Sequence, residues 1–191
     1  MAQRPAPPPP RIDEATLSAR LEAFLQQAKQ PLVVITGPTA SGKTALSIRL
    51  AQRCNGEVIN GDSRQFYRGM DLGTAKVTAA EMADVPHHLL SFLDADAAFT
   101  VAEFKQLAEA TIRDILARGR VPLLVGGSGL FLDAVCKNLS IPRVPPQPEY
   151  RATLDAVPTA ELHARLQAID PESAAMATAH DRVRLVRTLE I

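Results

Sequence analysis

The residues best equipped for chemistry lie between positions 37 and 62. Gly37-Pro-Thr-Ala-Ser-Gly-Lys-Thr44 fits the spacing G-x-x-x-x-G-K-[ST]. A loop of this kind wraps a phosphate with backbone N–H groups, so its glycines must allow close approach. It then feeds those groups into a helix N-terminus, whose partial positive charge favours the anion. Lys43 adds a mobile full charge, and Thr44 adds a hydroxyl for a divalent ion, with Mg2+ the expected one. The competing reading is an ordinary glycine turn with an exposed lysine. A strand before the loop and a helix after it favour the phosphate site. NTPases with this loop usually carry an apolar strand ending in Asp, which helps hold the metal. Here the apolar run Val121 to Val125 leads into Gly126-Gly-Ser-Gly129 instead. A second strand, Glu57 to Ile59, leads through Asn60 and Gly61 to Asp62. Ligands gather at the carboxyl ends of parallel strands, so Asp62 is expected to face the phosphate, as metal ligand or as base. A turn or helix N-cap aspartate is the alternative.

These residues need elements to hold them. Leu32 to Thr36 is a β-branched apolar run between Pro31 and Gly37, the pattern of a buried parallel strand. Ala45 to Cys54 and Val101 to Leu116 have helical apolar spacing, and Gly119 stands where a helix C-cap would. Strands alternating with helices predict an α/β fold: a P-loop NTPase-like parallel sheet with flanking helices. Ahead of it, Asp13 opens an amphipathic helix with Leu17, Leu21, Phe24, Leu25 and Ala28 on one face. Residues 1–12 are proline-rich, with Pro7 to Pro10 consecutive, and read as a disordered leader. Pro142, Pro145, Pro146 and Pro148 mark a linker, and the rest reads as helical, with Leu162, Leu166 and Ile169 on one face and Leu185, Val186 and Leu189 on another. The predicted organisation is therefore a leader (1–12), an N-terminal helix (13–30), an α/β core (31–138) and a small helical appendage (139–191), incomplete in its sequence pattern.

Composition narrows the class. The chain has 191 residues, 46% of them hydrophobic, with 21 basic and 21 acidic side chains. That suffices for one sizeable core and excludes a wholly disordered chain. Cys54 and Cys136 have neither metal-ligand nor disulfide-framework spacing and suit a reducing cytosol. No apolar run reaches the ~20 residues of a membrane span, and the N-terminus lacks the apolar stretch of a signal peptide. Zero net charge argues against non-specific nucleic-acid binding but leaves room for a local basic site.

Several segments fit one family together. They are the loop Gly37 to Thr44, the stretch Gly61-Asp-Ser-Arg-Gln-Phe-Tyr-Arg-Gly-Met-Asp-Leu-Gly-Thr-Ala-Lys76, Val85-Pro-His-His-Leu89, Phe99-Thr-Val-Ala-Glu-Phe104, and Val125-Gly-Gly-Ser-Gly-Leu-Phe-Leu132. In this order and spacing the chain resembles the tRNA dimethylallyltransferases and their relatives, the adenylate isopentenyltransferases. The likeness runs from about Pro31 to Ile191. The resemblance implies that the loop holds a diphosphate and that a dimethylallyl group moves from dimethylallyl diphosphate to the exocyclic N6 amine of an adenosine. In the tRNA enzymes that adenosine lies 3′ of the anticodon. It also implies roles. Asp62 would accept the amine proton as the bond to carbon forms. Ser128 would place a hydroxyl near the transferred group. Gly37, Thr39, Ala40, Ser41, Gly42, Lys43 and Thr44 would bind the diphosphate, with a metal at Thr44 and with Arg184 and Arg187 from the run Asp181-Arg-Val-Arg-Leu-Val-Arg187. Spacing alone would make those arginines surface ion-pair partners. Ser63, Gln65, Tyr67 and Lys76 would lie on the adenosine or tRNA side, Lys76 being an exposed turn lysine in the alternative. Phe131 stands where the family commonly has Tyr, so that hydroxyl is missing here.

His87 and His88 read as structural or phosphate-side residues rather than metal ligands, because adjacent side chains diverge. Family members run on past the position of Ile191, so the resemblance predicts a truncated helical part with a weakened tRNA grip. Residues 143–191 hold six arginines against seven acidic residues, so a tRNA site there would have to be a local patch. The expectation is a cytoplasmic, monomeric, nucleotide-binding transferase acting on tRNA. A free-nucleotide prenyltransferase and a phosphate-binding protein without turnover stay open beside it, and a small-molecule kinase fits less well.

Overall fold

The computed structural model describes residues 12–142 and 144–191. The proline-rich leader expected from the sequence lies, but for Ile12, outside the described residues. The chain divides after Leu139 into two compact units.

The first unit opens with α1 (Glu14–Gln27), started by Asp13, whose carboxylate accepts the Thr16 N–H at 2.8 Å and the Thr16 hydroxyl at 3.0 Å. Leu17 and Leu21 pack on the core, but no residue of α1 is fully buried. Arg53 fastens it by hydrogen bonds to Ser18 and Glu14. There follow β1 (Val33–Thr36), α2 (Lys43–Cys54), β2 (Gly56–Asn60), a 3-10 turn (Ser63–Phe66), α3 (Ala79–Met82), β3 (His87–His88), α4 (Val101–Ala117), β4 (Val121–Gly126) and α5 (Gly129–Cys136).

The sheet is wholly parallel, in the order β1-β4-β2-β3. Each parallel neighbour needs a crossover, and the helices supply it while covering both faces. Side chains alternate accordingly. Val58 and Leu123 face a cluster with Ile35, Ile48, Leu50 and Ala51. Ile59 and Leu124 face the opposite one, with Phe66, Phe104, Ile115 and Leu132. Phe66 is the hub of the second cluster, its ring 5.2 Å from Phe99 edge-on and 5.5 Å from Phe104. It pins the turn that begins at Asp62. Register does the rest: Thr36 pairs with Gly126, and Asn60 with Val125, so β1, β4 and β2 end level. The segments leaving them, 37–44, 127–128 and 61–62, therefore emerge side by side.

Glu57 is the charged residue in β2. It is 1% exposed, yet Arg118 grips both carboxylate oxygens, Arg120 donates at 2.9 Å, and His88 Nε2 lies at 2.6 Å. The Arg118 hydrogen bonds hold its carboxyl down at about 2, against burial.

The second unit contains α6 (Pro148–Leu154), α7 (Thr159–Ile169), α8 (Pro171–Met176) and α9 (Arg182–Glu190). Leu154, Leu162, Leu166, Ala174, Ala177 and Leu185 make its core. Ile169, expected on the buried face with Leu162 and Leu166, is instead 76% exposed. The helix ends at Ile169, and the chain turns at Asp170 into α8, so the apolar face closes one turn earlier than its spacing suggests. Glu190 is buried here as Glu57 is in the first unit. It accepts from Arg151 at 2.7 and 2.8 Å, from Arg187 at 2.6 Å, and from the Gln147 N–H. Arg151 above all lowers its pKa.

Candidate functional site

The loop between β1 and α2 turns twice through left-handed backbone, at Ala40 (φ 62°) and Gly42 (φ 84°). Gly42 is the N-cap of α2 and has no side chain to close that end, so the first N–H groups of the helix stay open to a ligand. Lys43 Nζ folds back and donates to the Pro38 carbonyl at 2.6 Å, and the Ser41 N–H donates to the same oxygen at 3.3 Å. Thr39, Ser41, Gly42, Lys43 and Thr44 line a cavity of about 940 Å³.

The same cavity is lined by Asn60, Asp62 and Gln65. Gly61 and Gly126 let β2 and β4 meet behind it: a Cβ on Gly126 would overlap the Gly61 carbonyl group and come within 2.8 Å of the Asp62 nitrogen. Asp62 caps the 3-10 turn, one carboxylate oxygen accepting the Arg64 N–H at 3.1 Å. Its other oxygen lies 3.9 Å from where a side chain on Gly127 would begin, and the Gly37 carbonyl lies 3.3 Å from that point. Asp62 thus caps the turn with one oxygen while also lining the cavity.

Around this centre the other residues fall as follows. Ser128 Oγ accepts the Ser63 N–H at 3.0 Å and lies 3.1 Å from Ser63 Oγ, clasping the exits of β4 and β2 together. Gln65 Nε2 donates to the Thr74 carbonyl at 3.0 Å. Tyr67 packs against the Phe66 cluster. Lys76 is not an exposed turn lysine: its side chain is 5% exposed, and Nζ donates to the Tyr67 carbonyl at 2.6 Å and to Asp71 at 2.7 Å. It closes the base of the loop 67–76, while Leu72 at the tip is fully exposed.

His87 and His88 diverge on adjacent strand positions. His88 pairs with Glu57, and His87 Nδ1 lies 2.8 Å from the Val85 carbonyl, its pKa lowered by burial. Among the described residues, no group of three His, Cys, Asp or Glu could hold a metal.

Arg184 and Arg187 belong to α9 in the second unit. Asp181 caps that helix by accepting the Arg184 N–H at 3.1 Å. The Arg184 side chain is exposed, with no hydrogen bond or ion pair among the described residues. Arg187 is held by Glu190 and by the Val144 carbonyl at 2.7 Å. Arg182 donates to the carbonyls of Leu154, Asp155 and Val157.

Sequence reasoning passed over Asn60 and the Glu57 cluster. A polar residue in an otherwise apolar strand was the available signal for both: each needs buried partners, and those partners come from 29 and 61 residues away.

Comparisons with known proteins bear on the family. A family model described as IPP transferase matches residues 65–191, beginning just past the loop and Asp62. A tRNA dimethylallyltransferase of Roseiflexus sp. (strain RS-1) is 54% identical over 165 residues, covering 84% of this chain and 54% of the relative. One from Chloroflexus aggregans is 53% identical over 164 residues, covering 84% and 55%. Among solved structures, the full-length tRNA isopentenylpyrophosphate transferase of Bacillus halodurans superposes with TM-score 0.59 at 46% identity, covering 85% of this chain and 55% of that one. A eukaryotic dimethylallyltransferase acting on tRNA superposes with TM-score 0.72 at 32% identity, covering 84% and 41%. The chain thus spans about half the length of the curated relatives it matches. With the family model matching most of its residues and the parallel sheet shared with those structures, the chain belongs to the IPP transferase family.

Proposed function

We propose that the chain transfers a dimethylallyl group from dimethylallyl diphosphate to the N6 amine of the adenosine 3′ of the anticodon in tRNA. The observation that carries this is one cavity lined both by the open end of α2 with Lys43 and by the Asp62 carboxylate. An anion site beside a base is what the reaction needs. The adenine amine is a weak nucleophile, because its lone pair is delocalised into the ring. Asp62 accepts its proton as nitrogen bonds to the allylic carbon, and diphosphate leaves. The loop N–H groups and Lys43 stabilise the negative charge that gathers on the departing diphosphate. Thr39 and Ser41, which line the cavity, donate further hydrogen bonds to it. Gln65 and Thr74 border the acceptor side.

A hard divalent ion fits the donor set. The Thr44 hydroxyl and the diphosphate oxygens would hold Mg2+, which supplies charge neutralisation at the leaving group. The names of the relatives support tRNA over a free nucleotide as acceptor. The cytosol is the compartment where such a substrate is met. Among the described residues, no helix is long and apolar enough to cross a membrane.

Incubation with labelled dimethylallyl diphosphate and unmodified tRNA, AMP or ATP tests the reading. Label in tRNA alone is expected. Label in AMP or ATP alone would overturn the acceptor, and label in none would leave a phosphate-binding protein.

A further inference from the structure

We propose that Asn60 is the positioning residue of the site: its side-chain amide fixes the backbone of Asp62 and so aims the carboxylate. The inference rests on reading Asp62 as the base.

Asn60 ends β2 and is 4% exposed, although it borders the cavity. Its Oδ1 accepts the Asp62 N–H at 3.0 Å. Its Nδ2 donates to the Asp62 carbonyl at 3.2 Å and to the Leu89 carbonyl at 2.9 Å. One amide therefore takes both backbone groups of Asp62, as a neighbouring strand would, and holds that residue extended at φ −101°, ψ 114°. The orientation of the amide is fixed by chemistry. Reversed, Nδ2 would face an N–H, and Oδ1 would face two carbonyls. In the orientation found, both donor hydrogens and the acceptor have partners, and no buried side-chain polar atom in the described residues is left unpaired. Aspartate lacks the donors for the two carbonyls, and leucine fits the space but holds nothing.

The bond to Leu89 extends the hold to the chain following β3. The sheet edge thus sets Asp62 on its open side, while Val125, through the Gly61 N–H at 2.7 Å, and Gly126, through its lack of a side chain, set it on the other. The base sits on a rigid strand end, with its direction decided by a residue that takes no part in the chemistry.

The test compares Asn60→Ala with Asn60→Ser. Serine can still accept the N–H two residues on, whereas alanine cannot. Asn60→Ala is expected to lower kcat for transfer to tRNA about 10²-fold, with the KM for dimethylallyl diphosphate unchanged. Asn60→Ser should recover part of that loss. In an Asp62→Ala background, Asn60→Ala should cost nothing further, because its whole effect passes through Asp62. Amide hydrogen exchange gives a second reading independent of turnover: the Asp62 N–H should lose protection in Asn60→Ala and keep it in Asn60→Ser. The proposal is overturned if Asn60→Ala keeps wild-type kcat, if its loss persists undiminished without Asp62, or if Asp62 N–H protection is unchanged. Near-normal turnover by Asp62→Ala itself would instead overturn the base role.

Discussion

Asp62 and Lys43 are both held by short-range bonds before any ligand arrives, and the two differ in what a ligand must undo. Asp62 needs no rearrangement, since only one of its oxygens is engaged by the Arg64 N–H. Lys43 must exchange the Pro38 carbonyl for a phosphate oxygen, and a charge-assisted bond to an anion is the stronger of the two. Replacing Lys43 by Ala leaves the α2 N-terminus and the loop backbone in place. Isothermal titration with dimethylallyl diphosphate is therefore expected to show binding weakened about 10–100-fold, the equivalent of one charge-assisted bond, rather than abolished. Both residues were legible in the sequence, because loop spacing and strand ends are local signals. Asn60 was not, because its meaning depends on Leu89, brought alongside by the two-residue strand His87–His88. So short an edge strand has no periodicity to read.

At the scale of elements, the loop 67–76 shows where a residue's type misleads. Its lysine looks like a phosphate contact, yet the ammonium is enclosed by the loop it closes. Thr74 reinforces the loop from within through its hydroxyl bond to Met70 at 2.6 Å, and Gln65 ties it to the cavity wall. Lys76→Met should therefore weaken tRNA binding by loosening the loop while leaving the salt dependence of binding unchanged. A phosphate contact would instead reduce the slope of log K against log salt by about 0.8. A salt titration of both proteins separates these outcomes. The main strands and helices could be read from periodicity to within a residue or two. Ile169 could not, because a helix face is buried only as far as its neighbours reach.

Among the described residues, each unit buries one carboxylate under arginines, Glu57 in the first and Glu190 in the second. Neither cluster could be assembled from sequence, since Arg118 lies 61 residues from Glu57 and Arg151 lies 39 from Glu190. Glu57 gives the first unit a specific acid response. Its pKa falls from 4.5 to about 2 on folding, so its contribution is complete above pH 4.5 and is lost as pH falls towards 2. Glu57→Gln should remove that share of the acid dependence and destabilise the unit at neutral pH. The cost is about 2 kcal/mol, less than for a fully buried pair, because Arg118 and Arg120 keep access to water. Chemical denaturation of both proteins at pH 7 and at pH 3 reads both effects.

The central claim is that the Asp62 carboxylate and the phosphate loop work on one transfer across one cavity. Single-turnover incorporation of labelled dimethylallyl into unmodified tRNA, with donor affinity measured on the same samples, tests it most directly. The wild type is expected to transfer the label, Asp62→Ala to retain only a small residual rate, and both to bind the donor with the same affinity. Near-normal transfer by Asp62→Ala, or donor binding lost along with transfer, would contradict it.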